Sequence, residues 1–191
     1  VRGLVVLGHG AGTGARTPDL ELLAAGIDGF AMVRMEQPWV LAGRQIAPAA
    51  HLLDEAWSEV LNKRNTWLPA PAAALPLIVG GRSAGARVAC RTAIALNAVG
   101  VLGLAFPLHA PKKKNRRRDG ELDEVLAAQI PLHVIQGEKD GFGTPDEFVG
   151  VDLTVIPGRG HELLRAKTDE HCSLLMESAT RFLHQVIPNR K

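Results

Sequence analysis

Six short apolar runs recur along the chain, at residues 4–7, 30–35, 77–79, 101–105, 132–135 and 153–156. They are mostly continuous rather than alternating, the pattern of strands covered on both faces. Between them the apolar residues switch to a helical period. Ala49, Leu52, Leu53, Ala56, Trp57 and Val60 make one stripe; Cys172, Leu175, Met176, Ala179, Phe182, Leu183 and Val186 make another. A third helix is expected from Ser83 to about Asn97. Thr17-Pro18 and Thr144-Pro145 each place a capping residue before Pro at a first helical position, and Glu147 gives Thr144 the capping-box spacing. Strands alternating with helices predict an α/β class chain: a mostly parallel sheet of about six strands, helices on both faces. Residues 65–76, rich in Pro and Ala, read as a linker, and residues 111–120 as a basic loop excursion. Neither divides the chain, so a single domain over residues 1–191 is expected.

Composition narrows the function classes. Of 191 residues, 46% are hydrophobic and 22% charged, which argues against general disorder. The net charge of +2 is local: six of the 22 basic residues are Lys112, Lys113, Lys114, Arg116, Arg117 and Arg118, and the remaining 16 are outnumbered by 20 acidic residues. A nucleic-acid footprint spreads over a face, so no nucleic-acid partner is expected. Cys90 and Cys172 both fall in helical segments and read as free thiols. No apolar run approaches the ~20 residues that span a bilayer, so no membrane partner is expected. The chain opens at Val1 inside a strand-like run, as a trimmed chain would. A cytoplasmic location is expected, with a leader left open.

The strongest local signal is Gly81-Arg82-Ser83-Ala84-Gly85, directly after the apolar run 77–79 and before a helical pattern. A serine on a tight strand-to-helix turn projects its Oγ from the sheet, and flanking glycines leave room for the strained backbone. The helix N-terminus adds N–H donors and a favourable dipole. The competing reading is a plain helix cap. A hydroxyl needs a base, and the base an orienting carboxylate. Asp140 follows the run 132–135, and His161 follows the run 153–156, so all three would meet at the strand C-terminal rim. Glu138, Asp146 and Glu147 compete with Asp140 for the carboxylate role.

Acyl transfer through a serine also needs two N–H donors for the oxyanion. Ala84, directly after Ser83, supplies one; Gly8-His9-Gly10-Ala11-Gly12 supplies the other, from Ala11 or, failing that, Gly10. Gly10, Gly12 and Ala15 also fit a dinucleotide turn, with Glu36 as ribose ligand, but a helix starting at Pro18 begins too late to cradle a pyrophosphate. His161-Glu162-Leu163-Leu164-Arg165 lacks the second His of a zinc motif. No metal or cofactor is expected.

Gly8-His9-Gly10-Ala11-Gly12, Gly81-Arg82-Ser83-Ala84-Gly85, Phe106-Pro107-Leu108-His109, Gln136-Gly137-Glu138-Lys139-Asp140 and Gly160-His161 together resemble the small KANL/Tex-type α/β-hydrolases, related in fold to dienelactone hydrolases. The resemblance runs over nearly the whole chain in the right order. It implies the α/β-hydrolase fold, a minimal lid and a triad of Ser83, Asp140 and His161, which spacing reaches independently. Dienelactone hydrolases carry Cys where this chain has Ser83, so their substrate does not transfer, and the first two strands of a full sheet of that fold have no counterpart here.

The expected activity is hydrolysis of small carboxylic esters or thioesters through an acyl-enzyme on Ser83; the alternative is a catalytically silent interaction module on the same scaffold. His9, Arg82 and His109 are candidate pocket-lining residues, with a structural role favoured for His109 and loop shaping for His9. The basic run could steer anionic substrates, but a solvated loop is the favoured reading. Trp39, Trp57 and Trp67 pack a helix or face the pocket.

Overall fold

A computed structural model describes residues 1–44, 46–110, 115–166 and 169–188. In chain order the elements are β1 (Gly3–Gly8), α1 (Pro18–Gly26), β2 (Phe30–Met35), a single turn α2 (Pro38–Leu41), α3 (Ala50–Asn62), a short α4 (Ala70–Ala73), β3 (Leu77–Arg82), α5 (Ala84–Thr92), β4 (Gly100–Leu104), α6 (Asp119–Ala127), β5 (Leu132–Gly137), β6 (Asp152–Ile156) and α7 (Cys172–Val186). The six strands form one sheet, every neighbouring pair parallel, in the order β2-β1-β3-β4-β5-β6.

The continuous apolar runs are explained by helices on both faces. Along β1, Leu4 and Val6 join the core under α3, α5 and α6, while Val5 and Leu7 join the core under α1 and α7. Every residue of β1 is therefore buried whichever way its side chain points. The chain runs outward from β1 to β2 and then crosses back to β3 on the other side of β1. The strand order thus reverses between β1 and β3, the switch point outside whose strand C-terminal ends ligands bind in open sheets of this kind.

Four local expectations need correction. The helix expected to reach Asn97 ends at Thr92; the chain then turns until Asn97, at φ 51°, lets Ala98 N–H bond Ala93 C=O and closes the terminus. Thr144-Pro145 opens only a 3-10 turn, Pro145–Glu147, although Glu147 Oε1 does accept from Thr144 N–H at 3.0 Å. Residues 65–76 hold part of a 3-10 turn and all of α4 rather than a plain linker. The basic excursion is shorter than expected, because Asp119 and Gly120 already belong to α6; Lys112, Lys113 and Lys114 lie outside the described residues. No described helix is long and apolar enough to cross a membrane.

Candidate active site

Ser83 sits between β3 and α5 at φ 53° and ψ −112°, a backbone conformation that side chains rarely adopt. Its surroundings hold it there. Ser83 N–H donates to Leu104 C=O at 2.9 Å, tying the turn to β4. The two glycines of the motif face the end of β1, where a Cβ on either Gly81 or Gly85 would run into the carbonyl oxygen of Gly8. A Cβ on Gly10 would lie 3.1 Å from that of Ser83. The glycine spacing is therefore a packing requirement of the turn against the first loop.

The structure brings the three expected side chains together. Ser83 Oγ lies 2.9 Å from His161 Nε2, and His161 Nδ1 lies 2.8 Å from Asp140 Oδ2. Because a carboxylate only accepts, Nδ1 carries the proton and Nε2 is free to accept from the serine hydroxyl. Asp140 is fully buried, and its carboxylate is well supplied with donors. Phe142 N–H donates to Oδ1 at 2.9 Å, and Gln136 Nε2 donates to Oδ2 at 2.9 Å. The Phe142 ring packs 4.3 Å from the imidazole. The acid and base loops are also joined through their backbones, Lys139 N–H to Arg159 C=O at 2.7 Å.

Two of the three rival carboxylates, Glu138 and Glu147, are engaged elsewhere. Glu138 accepts from Gly158 N–H at 2.6 Å. Glu147 faces His109 and Arg117. Although burial alone would raise its pKa, hydrogen bonds from Thr144, His109 and Arg117 hold it down at about 2.

On the first loop, the carbonyl oxygen of Gly10 accepts from His9 Nδ1 at 2.8 Å and from Thr13 Oγ1 at 3.0 Å. That carbonyl shares a trans peptide with the N–H of Ala11, so pulling the oxygen one way aims the N–H the other. Ala84 begins α5, so its N–H has no acceptor inside the helix. The dinucleotide reading fails in space. Glu36 braces the loop, with Oε2 accepting from Ala15 N–H at 3.3 Å. Asp19 and Glu21 in the first turn of α1 would repel a phosphate.

The expected lining residues do other work. His9 is buried beneath the loop, its Nε2 accepting from Gln37 N–H at 2.9 Å. His109 is buried with Nε2 3.1 Å from Glu147 Oε2. Neither presents a surface to the site, because each satisfies a loop that would otherwise bury unpaired polar groups. Arg82, also nearly buried, reaches under the base loop: Nη2 donates to His161 C=O, and Nε lies 3.2 Å from Asp19 Oδ2. Trp39 and Trp57 pack in the core, and Trp67 is exposed.

Sequence reasoning missed a second Ser-His-Asp grouping. His133 Nε2 lies 2.8 Å from Ser178 Oγ, and its Nδ1 lies 2.7 Å from Asp152 Oδ2. Here the resemblance to a nucleophilic site ends. Ser178 is buried within α7, where the backbone N–H groups are committed to the helix, and its hydroxyl donates to Thr154 Oγ1 at 2.7 Å. It lacks both the turn and the free donors that surround Ser83. The missed supports of the rim site are Asp19, Gln136, Phe142 and Thr13, whose partners are named by no local motif, and Arg82, expected as pocket lining, is a support as well. Asp169, Glu170 and His171 gather possible metal-ligating atoms within 4.8 Å, but both oxygens of Asp169 already accept from Arg159 Nη2 at 2.7 Å.

A family model described as an alpha/beta hydrolase domain matches residues 1–183. No curated protein matches the sequence. Among solved structures, an alpha/beta-superfamily protein from Xanthomonas campestris pv. campestris superposes with a TM-score of 0.71 at 15% identity, over 96% of this chain and 99% of its own. A serine hydrolase without a lid, from Xanthomonas campestris, gives 0.68 at 18% identity, over 100% of this chain and 85% of its own. Est1E from Butyrivibrio proteoclasticus gives 0.69 at 13% identity, over 97% and 88%. At these identities the likeness concerns the fold.

Proposed function

Because the chain belongs to the alpha/beta hydrolase family, we propose that it is a serine hydrolase acting on small carboxylic esters or thioesters. The observation that carries the reading is the continuous relay from Ser83 Oγ through His161 to Asp140, at 2.9 Å and 2.8 Å, on a strained turn. Ser83 Oγ attacks the substrate carbonyl carbon while its proton passes to His161 Nε2. The tetrahedral oxyanion lies against the N–H groups of Ala84 and Ala11. As it collapses, the bond to the alcohol or thiol breaks, and Nε2 returns the proton to that leaving group. Water then attacks the acyl-enzyme, giving its proton to the same nitrogen; collapse releases a carboxylic acid and restores the hydroxyl. Asp140 holds the imidazole tautomer and stabilises the imidazolium.

The finer placement among small KANL/Tex-type enzymes rests on the five motifs. Small substrates are favoured because the described residues build no large cap domain over the rim. Est1E, which shares the fold, has a structure with ferulic acid bound. A fluorophosphonate probe tests the reading: Ser83 is labelled in the folded protein at neutral pH, and Ser83→Ala abolishes the label. A panel of p-nitrophenyl esters and acyl-CoA thioesters then defines the acyl group. Folded protein that neither labels nor turns over any of them is an interaction module.

A further inference from the structure

A cavity of about 430 Å³ is lined by Arg87, Ala110, Arg116, Arg117 and Arg118. Two of its four guanidiniums are matched. Arg87 Nε donates to Glu121 at 2.9 Å, and Arg117 holds Asp119 through Nε and Nη2 at 2.7 Å and Glu147 through Nη1 at 2.8 Å. The other two are not. Arg118 donates to Pro107 C=O through Nη1 at 3.0 Å and has no carboxylate in the described contacts. Burial first, then the nearby charges of Arg87 and Arg91, push its pKa down against the pull of Glu121. Arg116 is exposed and has no ion-pair partner among the described residues. A half-buried guanidinium crowded by others is relieved by an incoming oxyanion, which its planar fork can grip with two bonds.

Two backbone connections tie the cavity's walls to Ser83 and His161. Arg87 N–H bonds Ser83 C=O at 3.2 Å, one turn of α5 and about 6 Å along its axis from the serine. Ala110 follows His109, whose N–H bonds Phe142 C=O at 3.0 Å, and Phe142 packs on the imidazole of His161. We infer that this cavity takes the anionic tail, a phosphate or carboxylate, of the acyl substrate. The esters or thioesters turned over then carry negative charge remote from the scissile carbonyl. The inference rests on the serine-hydrolase reading and names its substrate class.

Two measurements test it. In the first, the mono-p-nitrophenyl ester of suberic acid is compared with p-nitrophenyl octanoate. The charged ester has the higher kcat/KM, and Arg118→Gln lowers the ratio of charged to neutral kcat/KM about tenfold, chiefly through KM. Arg116→Gln, at an exposed position, lowers the ratio in the same direction and serves should Arg118→Gln fail to fold. In the second, inorganic phosphate or suberate is added to the Ser83→Ala protein and Tm is read, which requires no catalysis. At least one anion raises Tm, the preferred anion identifies the tail, and the shift is lost when Arg116→Gln and Arg118→Gln are combined. A ratio untouched by either substitution, with Ser83 still labelled, overturns the inference and leaves the hydrolase reading intact. Should no ester be turned over, the absence of any anion-dependent shift overturns it alone.

Discussion

Arg82 Nη2 donates a 2.8 Å hydrogen bond to the carbonyl oxygen of His161. The residue before the elbow serine therefore holds the loop that carries the serine's partner imidazole, 79 positions away in the chain. Asp19, 3.2 Å from Nε and almost wholly buried, keeps the guanidinium from swinging out. Arg82→Gln is expected to lower kcat about ten- to hundredfold with little change in KM, the scale of misplacing a reacting group by about 1 Å. Arg82→Lys keeps the charge but not the fork and recovers only part. Kinetics normalised to fluorophosphonate-titrated serine decide the matter: an unchanged kcat per labelled site makes the contact merely structural.

The strain at Ser83 has a measurable signature. Ser83→Ala and Ser83→Gly both remove the hydroxyl and should each lower kcat by at least about 10⁴. Only glycine also removes the Cβ that makes φ 53° costly. The glycine variant should be about 1 kcal/mol more stable than the alanine variant, despite the usual penalty for glycine. Urea unfolding of the two provides the comparison, and an alanine variant at least as stable would show that the turn stores no strain.

The buried grouping around His133 should matter for folding and not for turnover. Ser178→Ala removes a hydroxyl that bonds Thr154 Oγ1 and lies 2.8 Å from the imidazole, while those two stay 3.2 Å from each other, and it is expected to cost about 1 kcal/mol. Esterase activity per folded molecule and fluorophosphonate labelling should be unaffected. A label appearing on Ser178, or lost on its replacement, would transfer the chemistry to the other end of the sheet.

Glu147 should contribute to the acid limb of stability. Its carboxyl falls from an ordinary 4.5 to about 2 in the folded chain, as the bonds from Thr144, His109 and Arg117 outweigh burial. A depressed folded-state pKa favours folding above the unfolded value and loses that contribution as pH falls through the folded one. The stability difference between the native protein and Glu147→Gln should therefore be full above about pH 4.5 and close toward pH 2. Urea midpoints across this range report it; a difference independent of pH would refute the assignment.

Ser83, Asp140 and His161 were legible because each follows an apolar run, and parallel strands deliver such positions to one rim. The glycine spacing around Ser83 carried the turn for the same local reason. What was not legible depends on long-range partners. Gln136 reads as a polar residue ending a strand until its amide is found 2.9 Å from Asp140, and Phe142 reads as loop filler until it packs on His161. Helix length failed where termination is tertiary. Thr144-Pro145 carries every start signal, yet Glu147 is engaged by His109 and Arg117, and only one 3-10 turn forms.

The first loop supports a last prediction, about which amide receives the oxyanion. Gly10 C=O is held by two donors, His9 Nδ1 and Thr13 Oγ1, so the Gly10–Ala11 peptide is fixed before substrate arrives. An interaction made only with the tetrahedral oxygen should appear in kcat and not in KM. Thr13→Val keeps the shape but removes one of the two restraints, and about a three- to tenfold loss in kcat is expected, well short of losing a donor outright. Ala11→Pro deletes the N–H itself and should cost about 10²- to 10³-fold. The rate of fluorophosphonate labelling should fall alongside, because the probe's phosphoryl oxygen needs the same donors. If Ala11→Pro folds and retains its kcat, the donor lies elsewhere on the loop, and the clamp on Gly10 has no bearing on the reaction.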